Sequence, residues 1–174
     1  MKEYPHQPLS FFDYDPAWPI LYREEEERIR EGFGTHLVRI EHIGSTAIPG
    51  LPGKSIVDIL VVIDSDNNAE SCKKILDGLD YQYVDRPDQY YFRRSTGETT
   101  GFHLHMTTPD NKFWKERVAF RDYLLAHPGD KGNYMKLKKD LIKEFGNDKR
   151  VYREGKNDFM ADITNKAMKE FGDL

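Results

Sequence analysis

Ser55-Ile56-Val57-Asp58-Ile59-Leu60-Val61-Val62-Ile63 is the stretch on which the fold turns. β-Branched residues dominate it, and after Ser55 both alternating sets of positions are apolar apart from Asp58. A strand that is apolar on both sides belongs inside a sheet that is covered on both faces. Residues 55–63 are therefore predicted as a central strand. Asp58 does not fit such a place unless something receives it: an ionised carboxylate there needs a partner, a metal or the opening of a cleft.

Immediately upstream the chain reads Glu41-His42-Ile43-Gly44-Ser45-Thr46-Ala47-Ile48-Pro49-Gly50-Leu51-Pro52-Gly53-Lys54. Residues 37–43 are a predicted strand that ends at Gly44. Glycine lets the backbone come close to a ligand, and Ser45 and Thr46 add hydroxyl and amide donors. Two proline-containing turns then carry the chain to Lys54 and the central strand.

Working outward, residues 9–14 predict a short strand or extended lead-in. Asp15 and Pro16 predict the cap and first position of a helix running to about Phe33. Trp18, Tyr22, Ile29 and Phe33 form its apolar stripe. Glu24 to Glu27, interleaved with Arg23, Arg28 and Arg30, are expected on its solvated face as i,i+4 pairs. A helix over 66–79 turns Ala69, Cys72, Ile75, Leu76 and Leu79 inward. Strands are predicted at 81–84, 90–94 and 102–107, with hairpin connections at 88–89 and 96–98. After Pro109 the pattern is helical: 113–126, closed by His127-Pro128-Gly129; 134–145, with Leu137, Leu141 and Phe145 on one stripe and Gly146 as its stop; and 148–171, weakened at Gly155. Consecutive strands late in the sheet suggest antiparallel pairing. The expected class is α+β: a mixed, largely antiparallel sheet flanked by helices, with a helical C-terminal third and residues 1–174 forming one domain.

Composition narrows the function classes. The chain has 174 residues, 38% hydrophobic and 32% charged, with net charge −4. This suits a soluble globular protein and gives no broad basic surface for nucleic acid. Cys72 is the one cysteine, so neither an internal disulfide nor a cysteine zinc site is available, and a reducing, cytoplasmic setting is expected. No apolar run approaches membrane-spanning length, and residues 1–10 have no secretory h-region.

Further side chains carry chemistry. His103 and His105, two apart on a strand, share a face and supply nitrogen ligands; with Asp58 they would form a transition-metal set, the alternative being two strand histidines that bond neighbouring groups. His42 is a further candidate. Of Arg93 and Arg94, one faces the same side as Tyr91, and an arginine there binds phosphate bidentately or pairs with surface carboxylates. Tyr152 and Lys156 share a helix face, either as tyrosine packed on a lysine stem or as a phosphate contact. The Tyr-x-x-x-Lys spacing does not mark a dehydrogenase, because no Gly-x-Gly-x-x-Gly follows the first strand.

Gly44-Ser45, twelve residues and then Asp58-Ile59 within an apolar strand resembles the glycine-serine and carboxylate motif of nucleotidyltransferases. More narrowly, the segment from His42 through Leu51 resembles the GrpB-family signature. So do Tyr91-Phe92-Arg93-Arg94, His103-Leu104-His105, Phe120-Arg121-Asp122-Tyr123-Leu124 and Tyr152 through Lys156. The resemblance spans about residues 13–167. It implies a nucleotidyltransferase-like fold in which Gly44 and Ser45 hold nucleotide phosphates; Thr46, Lys54, Arg93, Arg94 and Lys156 are further candidate phosphate contacts. It also implies that Asp58 holds a divalent metal; in such a site Lys54 or an arginine would neutralise charge developing on the leaving pyrophosphate. Where nucleotidyltransferases usually place a second carboxylate, two residues after the first, this chain has Leu60. Three readings stay open: a nucleoside-triphosphate-binding nucleotidyltransferase using Mg²⁺ or a transition metal; a non-catalytic nucleotide-binding or interaction module; and a phosphoryl-transfer enzyme or hydrolase with metal on Asp58, His103 and His105. The partner implied is a nucleotide or another phosphorylated small molecule.

Overall fold

The computed structural model describes residues 11–87, 89–98, 100–145 and 148–174. Five strands make one sheet in the order β1-β2-β5-β4-β3: β1 (Leu37–Ile43), β2 (Ile56–Ile63), β3 (Gln82–Val84), β4 (Tyr90–Ser95) and β5 (Gly101–Thr107). β2 pairs with β5 in parallel, and the other three pairings are antiparallel. The α+β class and the inner position of β2 are as its two apolar faces demand. β5 takes the middle of the sheet, and β2 lies beside it with partners on both edges.

Alternation along β2 separates two cores. Val57, Ile59, Val61 and Ile63 face α1 (Trp18–Phe33) and α2 (Ala69–Gly78), joining Trp18, Ile29, Phe33, Cys72 and Leu76. Leu60 and Val62 face the other way, onto Trp114 and Val118 of α3 (Lys112–Ala126). Asp58 belongs to this second set. With Ile56, further along the same row, it lines an open cleft rather than the packed core.

The helical third is α3, α4 (Pro128–Phe145), α5 (Lys149–Glu154) and α6 (Asn157–Phe171). Ile48 and Leu51, from the turns between β1 and β2, are fully buried among Ala119, Tyr123, Leu124, Tyr134, Ile163 and Ala167. Each such burial contributes about 2 kcal/mol. The loop carrying Ser45 is thereby docked on the helices, which places the helical third over the open end of the sheet.

Several boundaries differ from those predicted. α1 begins at Trp18, because Asp15 closes a turn first, its Oδ1 accepting from the Ala17 amide at 2.8 Å. A 3₁₀ turn over Asp66–Asn68 precedes α2. α4 starts at Pro128, six residues before the expected 134: proline lacks an amide proton that the first helical turn would leave unpaired anyway, and its fixed φ suits that position. The expected break near Gly155 separates α5 from α6, and Asp148 caps α5 through the amides of Arg150 and Val151. Phe12 forms an isolated bridge with Gly53. The remainder of the 9–14 lead-in before Phe11, the turn residue Asp88 and the stop at Gly146 lie outside the described residues.

The solvated Glu24–Glu27 face needs one correction. Glu25 is buried, and its carboxylate accepts from Arg28 Nη1 at 2.9 Å and Arg94 Nη1 at 2.8 Å. Its position falls on the stripe between Tyr22 and Ile29. Arg28 therefore pairs with Glu25 rather than Glu24, while Arg30 pairs with Glu26 as expected.

Candidate functional site

β1 ends at Gly44, where φ is +75°, and the chain turns through the 3₁₀ segment Ser45–Ala47. A side chain at Gly44 would meet the Asp58 carboxylate: an ideal Cβ there lies 2.5 Å from Asp58 Oδ2. The glycine is required because the backbone passes directly against that carboxylate.

Ser45, Thr46, Lys54 and Asp58 line one cleft of about 210 Å³ together with His103, Lys138, Arg153 and Lys156. Phe11 and Tyr152 form its aromatic side, with ring centroids 4.8 Å apart. The sheet contributes the carboxylate and imidazole, and the helices contribute most of the cations. Lys138 on α4 is buried, and its Nζ donates to Ser45 Oγ at 2.7 Å and to the Pro52 carbonyl. Burial, reinforced by Lys156, lowers the Lys138 pKa to about 7. Lys156 is held at about 8 by burial and by the charges of Lys54 and Arg153. Its Nζ lies 4.3 Å from the Tyr152 ring centroid, so the tyrosine-on-lysine packing and the cleft position coexist.

Asp58, His103 and His105 lie on one face, as their strand positions require. His103 Nδ1 is 3.4 Å and His105 Nε2 4.0 Å from Asp58 Oδ1. Burial works to raise the Asp58 pKa, but the hydrogen bond from His103 and the neighbouring imidazoles outweigh it and keep the carboxylate below its usual range. His105 Nδ1 is 2.8 Å from Gln89 Oε1, which orients the ring with its Nε2 on the side of Asp58. Among the described residues no three His, Cys, Asp or Glu side chains form a group able to hold a metal. Leu60 is fully buried and offers no ligand.

Two predicted candidates lie elsewhere. Arg94, expected among the phosphate contacts, points to the opposite face of the sheet, where it pairs with Glu25, and does not line the cleft. His42 also faces α1: it stacks on Tyr22 at 4.7 Å, and its Nε2 lies 2.9 Å from Thr46 Oγ1. Arg93 is the arginine that shares the face of Tyr91, donating to its hydroxyl at 3.2 Å, but it does not line the cleft. Arg121, within the Phe120–Leu124 motif, ties α3 to β1 through Glu41 at 2.7 Å and the His42 carbonyl at 2.9 Å.

Lys138 and Arg153 were not anticipated from sequence. Lys138 had a signal: with Tyr134, Leu141 and Phe145 it follows helical i,i+4,i+7,i+11 spacing, and a lysine on an inward stripe has to meet a partner.

The site's environment makes stability pH-dependent. Burial lowers the His42 pKa to about 4, the Asp58 charge opposing and Arg121 assisting. Unfolding returns it to about 6.5, so the unfolded chain binds the proton first. Stability from this group is complete above about pH 6.5 and is lost as pH falls through 4, a change of about 1–3 kcal/mol. Urea midpoints measured across this window should fall, and His42→Gln should flatten the slope.

The GrpB protein family model matches residues 8–166 of the chain. The chain belongs to the GrpB family. A UPF0157 protein of Halalkalibacterium halodurans is 30% identical over 160 residues, covering 91% of this chain and 82% of that protein. The crystal structure of the conserved protein GrpB from Enterococcus faecalis superposes with a TM-score of 0.84 at 27% identity, covering 94% of this chain and all of that one. Terminal uridylyl transferase 4 from Trypanosoma brucei, solved with bound dUTP, aligns with a TM-score of 0.58 at 13% identity, covering 90% of this chain and 55% of that one. The fold of this GrpB-family chain is thus nucleotidyltransferase-like. Among the described residues no helix is long and apolar enough to cross a membrane.

Proposed function

We propose that the cleft binds the phosphate chain of a nucleoside triphosphate and that its chemistry is nucleotidyl transfer to an acceptor. The observation that carries this reading is the meeting of Ser45, Lys54, Lys138, Arg153 and Lys156 around a single ionised carboxylate, Asp58. Cations so placed attract a polyanion and neutralise charge that builds on a leaving pyrophosphate. Ser45 and the Gly44 turn hold and orient phosphate oxygens. Asp58 could hold one divalent ion, which would take its remaining ligands from phosphate oxygens and water; a pair of ions would lack ligands, because Leu60 supplies nothing. When bound, such an ion polarises the phosphoryl group.

Leu60 also favours a second reading, nucleotide binding without transfer. A metal centre on Asp58, His103 and His105, serving phosphoryl transfer or hydrolysis, would need these side chains to rearrange, since as they stand they form no group able to hold a metal. A nucleoside triphosphate with Mg²⁺ should raise the melting temperature, by about 2.7 kcal/mol of added stability at a ligand concentration of roughly 100 times Kd. Asp58→Ala should abolish the Mg²⁺-dependent part of the shift. Release of pyrophosphate on addition of acceptors separates transfer from binding. A panel of nucleotides that leaves the melting temperature unmoved with and without Mg²⁺ would rule out both readings.

A further inference from the structure

We propose that Lys138 is the metal-independent phosphate anchor of this cleft, and that its bond to Ser45 is a resting contact which a phosphate oxygen replaces. The proposal deepens the phosphate-binding reading and rests on it.

Lys138 projects from α4 into the cleft wall with 2% of its surface exposed. Its Nζ is satisfied by two neutral oxygens, Ser45 Oγ and the Pro52 carbonyl. The Tyr134 ring, on its own helix, lies 5.5 Å away. Two charged groups face it from other elements: Lys156, between α5 and α6, disfavours its charge, and Asp58 on β2 favours it. A buried ammonium held only by neutral acceptors and crowded by a second cation is incompletely compensated. The Asp58 charge does not restore the balance, since the lysine stays well below its usual range.

An anionic ligand supplies what is missing. A phosphate oxygen that takes the place of Ser45 Oγ accepts from Nζ, and the released serine hydroxyl donates to the same phosphate. No hydrogen bond is lost, the serine adds one, and the ammonium exchanges a neutral acceptor for an anionic one. This gives the cleft a source of positive charge at a site that lacks a second carboxylate for a second metal ion. It also couples loading to a proton. Lys138 is part neutral near pH 7 when the cleft is empty and fully charged against a phosphate, so above that pH binding takes up a proton and affinity falls as pH rises.

The test is titration calorimetry of inorganic triphosphate into the full chain in EDTA, at about pH 6.5 and about pH 8.5, in buffers of different ionisation enthalpy. The wild-type chain should bind without metal, more weakly at the higher pH, with net proton uptake there. Lys138→Met should weaken binding at least about tenfold at the lower pH, the scale of a lost hydrogen bond to a charged group. Lys138→Arg, always charged, should keep most of the affinity and lose the share of the proton uptake that belongs to Lys138, leaving only that of Lys156. Melting curves of both variants establish that they fold, and the arginine variant carries the test should the methionine variant fail to. Unchanged binding by Lys138→Met, or full proton uptake by Lys138→Arg, overturns the proposal. Binding of triphosphate only when Mg²⁺ is present also overturns it and leaves the metal-assisted reading standing. Binding under neither condition removes both.

Discussion

Gly44→Ala is expected to destabilise the protein by about 3 kcal/mol, a fall of roughly 6–12 °C in melting temperature for a chain of this size. Two costs add. At φ +75° and ψ −170° the residue occupies backbone space that is nearly exclusive to glycine, which alone costs about 1–3 kcal/mol. The added methyl also falls 2.5 Å from Asp58 Oδ2 and 3.2 Å from its Cβ and Cγ, so the carboxylate has to rotate away or the turn has to shift. Either displacement separates Ser45 from Asp58, and the Mg²⁺-dependent nucleotide shift should be lost with the stability. The two costs can be told apart. In an Asp58→Ala background the carboxylate clash is gone and the backbone cost remains, so Gly44→Ala should cost about 1 kcal/mol less there. A Gly44→Ala protein that melts with the wild type would mean that the turn does not constrain the site.

Glu25→Ala should cost about 2–3 kcal/mol. The carboxylate side chain is 4% exposed and holds Arg94, at 20%, and Arg28, at 37%. Breaking a fully buried pair typically costs about 3–5 kcal/mol, because the surviving charge is left without compensation. Here both arginines keep some water, which reduces the expected loss. Glu27→Ala, on the exposed face of the same helix, should change stability by no more than about 0.5 kcal/mol. Replacing Glu25 and Arg94 together by leucine should recover most of the loss, since apolar packing commonly substitutes for a buried ion pair. Urea denaturation of the four proteins decides the matter. Equal losses for Glu25→Ala and Glu27→Ala would place Glu25 on the solvated face after all.

Glu25 and Arg94 also mark where sequence reading stops. Four consecutive glutamates read as a solvated face because charged residues are seldom buried, and the helical spacing that put Glu25 on the stripe of Trp18, Tyr22 and Ile29 was outweighed by that tendency. Its partner lies 69 positions away, and no local pattern announces it. Alternation did require Arg93 and Arg94 to face opposite sides, with Arg93 on the side of Tyr91. It could not say which side held Asp58, because that depends on the register of β4 against β5 and β5 against β2.

The sequence by itself determined the inner strand with its lone carboxylate, the glycine-serine turn before it, the absence of a second carboxylate at Leu60 and the shared face of His103 and His105. Each follows from short-range periodicity or from the conformational needs of one residue type, which act whatever the rest of the chain does. Only the tertiary structure decided that the cleft is closed by cations from the helical third. Lys138 and Ser45 are 93 positions apart, and their 2.7 Å contact exists because Ile48 and Leu51 bury themselves among α3, α4 and α6 and draw the turn onto those helices. That docking is driven by the area of apolar surface removed from water, a non-directional force whose outcome depends on the packing of the whole chain, and the charge of the site follows from where the packing brings α4 to rest.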